Sequence, residues 1–181
     1  MAILKIYKYG EEILTQKTKR INFNSMEKKL PKIIDDMTQT CLCMEGVGLA
    51  APQVGLDIAL VVILLPKKEE GTYKRYILIN PEITIKKGKV LSQEGCLSFP
   101  GLAVQVERAT EVKVKYLDER GLPVEMTAKG FLAIILQHEI DHLNGKTFID
   151  NLPKVAKDKA LKDIEELSSI LRKTTGSICQ K

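Results

Sequence analysis

Residues 130–145, GFLAIILQHEIDHLNG, constrain this chain more than any other stretch. The two histidines of the chain, His138 and His142, stand here in the pattern H-E-x-x-H. Positions i and i+4 share one face of an α-helix, so both imidazoles can face a single metal ion. Glu139 projects about a quarter-turn away, where it can handle protons but is angled off as a ligand. The pattern predicts a metal-binding helix.

The residues before this motif predict that the helix is buried. Residues 131–136 are apolar on every side, which is typical of a core helix. Two imidazoles and the Glu139 carboxylate inside a core carry a desolvation penalty unless something satisfies them. A metal ion binds both neutral imidazoles and leaves the carboxylate beside a polarised water. The alternative is two core histidines bonded to the backbone, which requires their ligand spacing to be accidental.

Length and composition predict one globular domain over residues 1–181. Hydrophobic residues make up 44% and charged residues 28%, as in ordinary soluble proteins. No apolar run approaches the roughly 20 residues of a membrane span, and the start MAILKIYKYG lacks a signal-peptide core. The four cysteines follow no disulfide framework, which fits a reducing compartment. We therefore expect a cytoplasmic protein.

Hydrophobic periodicity predicts an α+β fold in which mostly antiparallel strands wrap around the buried metal-binding helix. An N-terminal helix over residues 25–45 precedes the strands, and the arm before it is expected to hold a short strand. A C-terminal helix follows Pro153 over residues 153–173, and residues 174–181 are expected to form a frayed tail. The predicted strands lie at residues 58–65, 73–79, 103–106, 110–116 and 122–128, with a hairpin turning at Lys87 and Gly88.

A metal ion usually takes three protein ligands and a water at a catalytic site, so a third ligand is needed. The extended pattern H-E-x-x-H-x-x-G-x-x-H fails here, because Phe148 stands where the third histidine belongs. A carboxylate from the last helix, Glu165 or Glu166, is a second completion. The third is Cys96, whose thiolate would be a good soft ligand for zinc or ferrous iron. Donor chemistry alone does not decide whether the third ligand is the carboxylate or the thiolate.

Residues 46–53, GVGLAAPQ, form a second distinctive stretch. Its small residues and paired glycines let the backbone approach another chain or a ligand closely. It is not a phosphate loop, since no Gly-Lys-Ser/Thr follows. A tight turn into the next strand is the simpler interpretation of the glycines taken alone.

Three segments together, residues 46–53, 94–98 (EGCLS) and 137–145 (QHEIDHLNG), resemble the three signature motifs of peptide deformylases. Their order and spacing match, and the resemblance covers essentially the whole chain, with a C-terminal helix similar to that of the bacterial type 1 branch. Residues 10–15 and 100–103 depart from the usual pattern, the second by lacking a larger polar residue that many members use to contact substrate. These departures leave the metal chemistry untouched and concern peptide affinity beyond methionine.

The resemblance implies a single catalytic domain that removes the formyl group from the N-formylmethionine of nascent peptides and releases formate. The metal ligands would be Cys96, His138 and His142. The ion would be ferrous iron in the cell, with zinc, nickel or cobalt in purified protein. Glu139 would act as general base and then general acid while a metal-activated water attacks the formyl carbon.

The resemblance also implies roles for backbone and amide groups. Gln53 and the backbone N–H of Leu97 would bind the oxyanion. Backbone groups of Val47, Gly48 and Gly95 would dock the substrate as an added strand. The expected partners are nascent formylated peptides and the ribosome near its exit tunnel, reached through the C-terminal helix.

Two other functions compete with this one. A zinc endopeptidase would use Glu165 or Glu166 as its third ligand and would cleave internal peptide bonds. A ribosome-associated factor with a merely structural metal would use the basic C-terminal helix on RNA. It predicts a closed site in which Glu139 and Gln53 have no role.

Overall fold

The computed structural model describes residues 2–67 and 71–176, with side chains as far as Leu167 in the last helix. Seven strands and four α-helices are found within these residues. They are α1 (Phe23–Met26), α2 (Leu30–Cys43), β1 (Gly48–Ala50), β2 (Leu60–Pro66), β3 (Tyr73–Lys87), β4 (Val90–Cys96), β5 (Phe99–Arg108), β6 (Glu111–Leu117), β7 (Pro123–Lys129), α3 (Gly130–Leu143) and α4 (Lys154–Gly176).

Two antiparallel sheets organise the fold. The larger sheet has the strand order β1-β2-β3-β6-β7, and β4 pairs with β5 in a separate two-stranded sheet. β2 is an unbroken apolar run whose side chains alternate between the two faces of the larger sheet. Leu60 and Val62 pack in one cluster with α2, whereas Val61 and Ile63 pack in another with α3. The larger sheet is therefore covered by a helix on each face, and the predicted α+β class is confirmed.

The metal-binding helix predicted from the sequence is α3, and its buried side faces the sheet. Ala133 and Leu136 are fully buried against it. The prediction that residues 131–136 are buried on every side is wrong at the start of the helix, because the side chain of Phe131 is 54% exposed. Phe131 lies in the first turn, where α3 emerges from the core at the mouth of a cleft.

The predicted helix over residues 25–45 is divided into α1 and α2. Pro31 sits in the first turn of α2. Proline lacks a backbone N–H and clashes with a preceding turn, so it begins a helix rather than continuing one. The arm before α1 contains two isolated bridges and the 3₁₀ helix Glu12–Leu14 in place of the expected short strand.

α4 begins directly after Pro153 and docks on the body through one side, as its apolar stripe predicts. Ala160, Ile164 and Leu167 pack in a cluster with Phe99 and Phe148. The helix continues to Gly176, beyond its predicted end at residue 173, and residues 177–181 of the predicted tail lie outside the described residues. None of the described helices is both long and apolar enough to cross a bilayer.

Candidate metal centre and active site

Three metal-donor side chains from distant parts of the chain meet at the end of α3. Cys96 Sγ lies 3.3 Å from His142 Nε2, and the donor atoms of Cys96, His138 and His142 all lie within 4.8 Å of one another. A register shift in the β4–β5 pairing falls between Gly95 and Cys96. Such an irregularity redirects a side chain from its strand. The third donor is therefore supplied by the strand end that faces the helix.

The ring of His138 is oriented by a buried carboxylate. Its Nδ1 lies 2.9 Å from Glu94 Oε2, which leaves Nε2 for the donor group. Burial disfavours the charged imidazole, but hydrogen bonds with Cys96 and Glu94 outweigh it and raise the pKa of His138 well above its usual value. The surroundings of His138 thus favour positive charge where the donor atoms meet.

Glu94 is itself fixed by a buried guanidinium. Arg108 donates to it from Nε at 2.7 Å and from Nη2 at 3.0 Å, and donates from Nη1 to Asp141 Oδ2 at 2.5 Å. Burial disfavours the charged carboxylate, yet the bonds to His138 and Arg108 lower the pKa of Glu94 overall. A charged, bidentate pair of this kind holds its geometry firmly. Glu94 therefore remains an acceptor that fixes the tautomer of His138.

His142 has a different environment. It is fully buried, and its Nδ1 has no hydrogen-bond partner among the described residues. Burial and the charges of His138 and Arg108 lower the pKa of His142 well below its usual value. A neutral imidazole with Nε2 directed at Cys96 is the form that binds a metal ion.

Glu139 points into the same space from the neighbouring position on α3. It is 4% exposed, and its Oε2 has no hydrogen-bond partner in the described part of the chain. Burial raises the pKa of Glu139 to about 7. Gly48 of β1 packs directly on this carboxylate, where a methyl group would overlap it. A carboxyl group with a pKa near neutrality suits proton transfer in both directions.

Gln53 lies beside Cys96 with its amide fixed. Gln53 Oε1 accepts from the Ala50 N–H at 2.8 Å, which directs Nε2 toward Cys96 Sγ and Ser98 Oγ, both at 3.3 Å. Leu97 follows Cys96 in the turn between β4 and β5, and its carbonyl accepts from Lys8 Nζ at 2.8 Å. Both residues that the sequence predicted as oxyanion donors are thus located next to the proposed ligand Cys96.

A cleft of about 670 Å³ leads to these groups from the surface. The exposed lining residues Met44, Pro100, Gly101, Ala103 and Phe131 mark its outer part, and Lys8 and Glu45 also line it. His142 is buried behind it. The predicted site residues that line the cleft are Val47, Gly48, Gln53, Gly95, Cys96, Leu97, His138 and Glu139.

Sequence reasoning missed the residues that support the ligands. Arg108 is far from every motif, and nothing in its local sequence marks it. Asp141 stands inside H-E-x-x-H, next to His142, and a charged residue within a buried helix is a usable signal. Phe148 breaks the extended histidine pattern, and the sequence does not indicate that its ring lies against His138. The carboxylate alternatives Glu165 and Glu166 are exposed on α4 and do not belong to the donor group.

The donor chemistry fits a divalent metal ion. A thiol and two imidazoles within 4.8 Å of one another match the ligand preferences of zinc and ferrous iron. The buried Glu139 Oε2 without a partner is explained by a polar group that binds beside it. Together with the α+β fold, this site defines the class of metal-binding hydrolases.

The chain belongs to the polypeptide deformylase family, whose sequence profile matches residues 3–158. It is 49% identical to the peptide deformylase of Elusimicrobium minutum over 172 residues, which cover 93% of this chain and 98% of the relative. The Aquifex aeolicus peptide deformylase is 45% identical over 159 residues, or 88% and 93% of the two chains. The chain is thus an enzyme of a family that removes the formyl group from the N-formylmethionine of nascent peptides.

Solved structures agree with this assignment. The crystal structure of a peptide deformylase from Legionella pneumophila superposes with a TM-score of 0.85 at 38% identity, covering 94% of this chain and 98% of that one. The peptide deformylase from Ehrlichia chaffeensis, solved in complex with actinonin, gives a TM-score of 0.81 at 35% identity, with 92% and 98% covered.

Proposed function

We propose that this chain, as a single catalytic domain, removes the N-formyl group from N-formylmethionine at the start of newly made peptides and releases formate. A metal ion would be held by Cys96, His138 and His142. The observation that carries the proposal is the meeting of these three donors beside the buried Glu139 at the inner end of the cleft.

The ligand set determines what the metal contributes. When bound, a divalent ion supplies Lewis-acid chemistry, polarising a carbonyl group and acidifying water. A thiolate ligand is soft, which favours ferrous iron in the cell and permits zinc, nickel or cobalt in purified protein. The neutral His142 and the Glu94-oriented His138 are both suited to binding it.

Glu139 carries the proton. As the base it accepts a proton from the water that attacks the formyl carbon, and as the acid it returns this proton to the leaving amine. A pKa of about 7 leaves both forms populated near neutrality, so one group can perform both steps. Gly48 leaves room for this carboxylate beside β1, since a side chain at that position would overlap it.

Gln53 and Leu97 stabilise the charge that develops on the formyl oxygen. The Gln53 amide is preorganised, since its Oε1 is already bonded to the Ala50 N–H and its Nε2 faces the Cys96 sulfur. The Leu97 N–H, next to Cys96 in the chain and in the lining of the cleft, would be the second donor. Donors fixed before the reaction need no reorganisation as charge develops.

The cleft supplies the rest of the substrate contacts. β1 is an edge strand of the larger sheet, so an extended peptide can bond to the backbone of Val47 and Gly48 on its open side. Gly95 on β4 would contact the same peptide from across the cleft. The physiological substrates would be nascent peptides in the cytoplasm, met at the ribosomal exit tunnel, where α4 would present Lys154, Lys159 and Lys162.

The test is formate release. Protein loaded anaerobically with ferrous iron is incubated with a formyl-Met-Ala-Ser peptide, and formate and peptide masses are measured together with bound metal. We expect one formate per deformylated peptide, a loss of at least about 100-fold in rate in Glu139→Gln, and full activity in the matched control Glu165→Gln. Metal-loaded protein that releases no formate, or that cleaves the peptide internally, would refute the proposal.

A further inference from the structure

Phe148 occupies the position where the extended metallopeptidase pattern has its third histidine, and it contacts a metal ligand in another way. Its ring is stacked on the imidazole of His138, with the centroids 5.7 Å apart and the planes inclined by 29°. Phe148 is 1% exposed, so this contact is fully shielded from water. A flat apolar ring therefore covers one face of the imidazole.

The ring of Phe148 also contacts a second aromatic ring. Phe99 meets it edge-on, with centroids 5.0 Å apart at 86°, and Tyr9 in turn contacts Phe99 at 5.1 Å. Edge-on and offset contacts are the preferred geometries between aromatic rings. Phe148 thus contacts the rings of both Phe99 and His138 in a fully buried position, which restricts its rotation.

The backbone also fixes the position of Phe148. Gly145, with a φ of 68°, ends α3 and turns the chain back beneath the helix, where a methyl group would overlap the backbone of Thr15. The next turn is closed by Asp150 Oδ2, which accepts from the N–H of Thr147 at 2.8 Å and from its Oγ1 at 3.0 Å. Phe148 is the first residue of this short 3₁₀ helix.

The two histidines differ in how firmly their rings are held. The hydrogen bond that His138 Nδ1 donates to Glu94 restrains the imidazole within its ring plane, while the ring can still tilt about this bond. The stacked Phe148 opposes that tilt. His142 has no partner at Nδ1 among the described residues; its Nε2 lies 3.3 Å from Cys96 Sγ, and its ring meets His138 edge-on at 71°.

We propose that Phe148 is a positioning residue that fixes the ring plane of His138 and thereby directs its Nε2 at the metal. The inference rests on the proposed metal centre and concerns one ligand of it. Residues that orient a ligand from outside the coordination sphere typically change metal affinity about 10- to 100-fold when they are altered. Phe148 would act by ring contact, and Glu94 by a hydrogen bond.

The test compares Phe148→Leu with Ile149→Val. Ile149 is the next residue, is equally buried and belongs to the same cluster, but no ring contact joins it to His138. Zinc affinity is measured by competition with a chromophoric chelator, and thermal unfolding of the metal-free proteins is measured separately. We expect Phe148→Leu to weaken zinc binding about 10-fold or more, and Ile149→Val to leave it within about twofold.

Nuclear magnetic resonance reports on the ring directly, since the chain has two histidines and hence two imidazole Cε1–H signals. In the metal-free wild type both should be sharp. In Phe148→Leu we expect the His138 signal to shift and broaden while that of His142 changes little. Phe148→Tyr, which keeps the ring face, should restore both the signal and the affinity.

The outcomes separate the inference from the proposed function. If wild-type protein binds no zinc, the metal centre itself fails. If the wild type binds zinc and Phe148→Leu binds it equally well, or if both variants lose affinity in proportion to their loss of thermal stability, Phe148 has only a packing role. Should Phe148→Leu not fold, Phe148→Met fills the same volume without a flat face and is judged by the same criteria.

Discussion

The inner and outer ends of the cleft are built on different principles. At the inner end, hydrogen bonds fix Gln53 and Glu94 at full burial, and each contacts a proposed ligand. At the outer end, Met44 and Phe131 are apolar side chains that are 40% and 54% exposed. The inner groups thus have one available arrangement, whereas the outer ones can adapt to what binds.

This difference indicates that the inner end of the cleft serves the chemical step and the outer end serves peptide binding. A fixed inner end suits chemistry at one small, invariant group, because reacting atoms must be positioned to within a fraction of an ångström. An adaptable apolar outer end suits peptides whose sequences differ after the first residue. Substitutions at the inner end should therefore change the rate of the chemical step, and substitutions at the outer end should change substrate affinity.

The largest effect is expected at Glu139. Glu139→Gln keeps the shape and removes the proton carrier, so kcat should fall by about 100- to 10,000-fold. Metal content should be unchanged, because Glu139 is not among the proposed ligands. Steady-state kinetics and metal analysis on the same samples check this. If the metal content of Glu139→Gln fell as strongly as kcat, Glu139 would be a metal ligand and could not be assigned as the base alone.

A buried and an exposed position also distinguish two thiols on α2, those of Cys41 and Cys43. Burial and the charge of Glu139 raise the pKa of Cys41 to about 12 from 9.0, while Cys43 on the outer side of the helix is exposed. The thiolate is the reactive form, so this shift alone lowers its fraction at pH 8 about a thousandfold. Iodoacetamide labelling read by peptide mass spectrometry should modify Cys43 first. Equal labelling of both in folded protein would contradict the buried position of Cys41.

The raised pKa of Cys41 also has a consequence for stability. Between pH 9.0 and about 12 the folded chain keeps a proton that the unfolded chain loses. Because the unfolded state then binds fewer protons, the free energy of unfolding falls as the pH rises through this range. Cys41→Ala should show a shallower decline, measured by urea unfolding at successive pH values.

Some of these groups could be predicted from the sequence and others could not, for physical reasons. His138, His142 and Glu139 carry a spacing signature, since one helix face imposes fixed intervals, whereas Cys96 follows only from the resemblance to a known family. Arg108 reaches Glu94 only because β5 pairs with β4 in a particular register, and no local pattern encodes that register. Pro31 signals the start of α2, but the apolar periodicity continues across the break between Met26 and Leu30 and so favours one long helix.

The exposure of Phe131 shows the limit of apolar runs as a signal. An apolar run predicts burial when its neighbours cover every side, but the first turn of a helix can emerge into a cleft. Apolar residues left exposed at a cleft mouth often mark a binding surface. The apolar periodicity of α3 therefore does not distinguish a buried turn from an exposed turn that lines a binding cleft.

After Glu139→Gln, the next largest loss of kcat is expected when the preorganised amide of Gln53 is removed. Gln53→Ala removes one donor to the developing negative charge, and the loss of such a donor costs about 100- to 1,000-fold in kcat. Gln53→Glu is the sharper variant, since it keeps the size but replaces the donor with an acceptor. It should be at least as inactive. A change confined to KM would show that Gln53 binds substrate and does not stabilise the transition state.

The smallest effect is expected at the outer end. Phe131→Ala removes apolar contact area from the mouth of the cleft, so KM for a formylated peptide should rise by about 10-fold at most while kcat is unchanged. Val155, which is 84% exposed on α4 and does not line the cleft, provides the control, and Val155→Ala should alter neither value. The KM effect should be larger for longer peptides than for formylmethionine alone, because a single residue offers less surface to the outer end of the cleft. If Phe131→Ala lowers kcat on the shortest substrate, the outer end takes part in the chemistry, and the division between the two ends of the cleft is wrong.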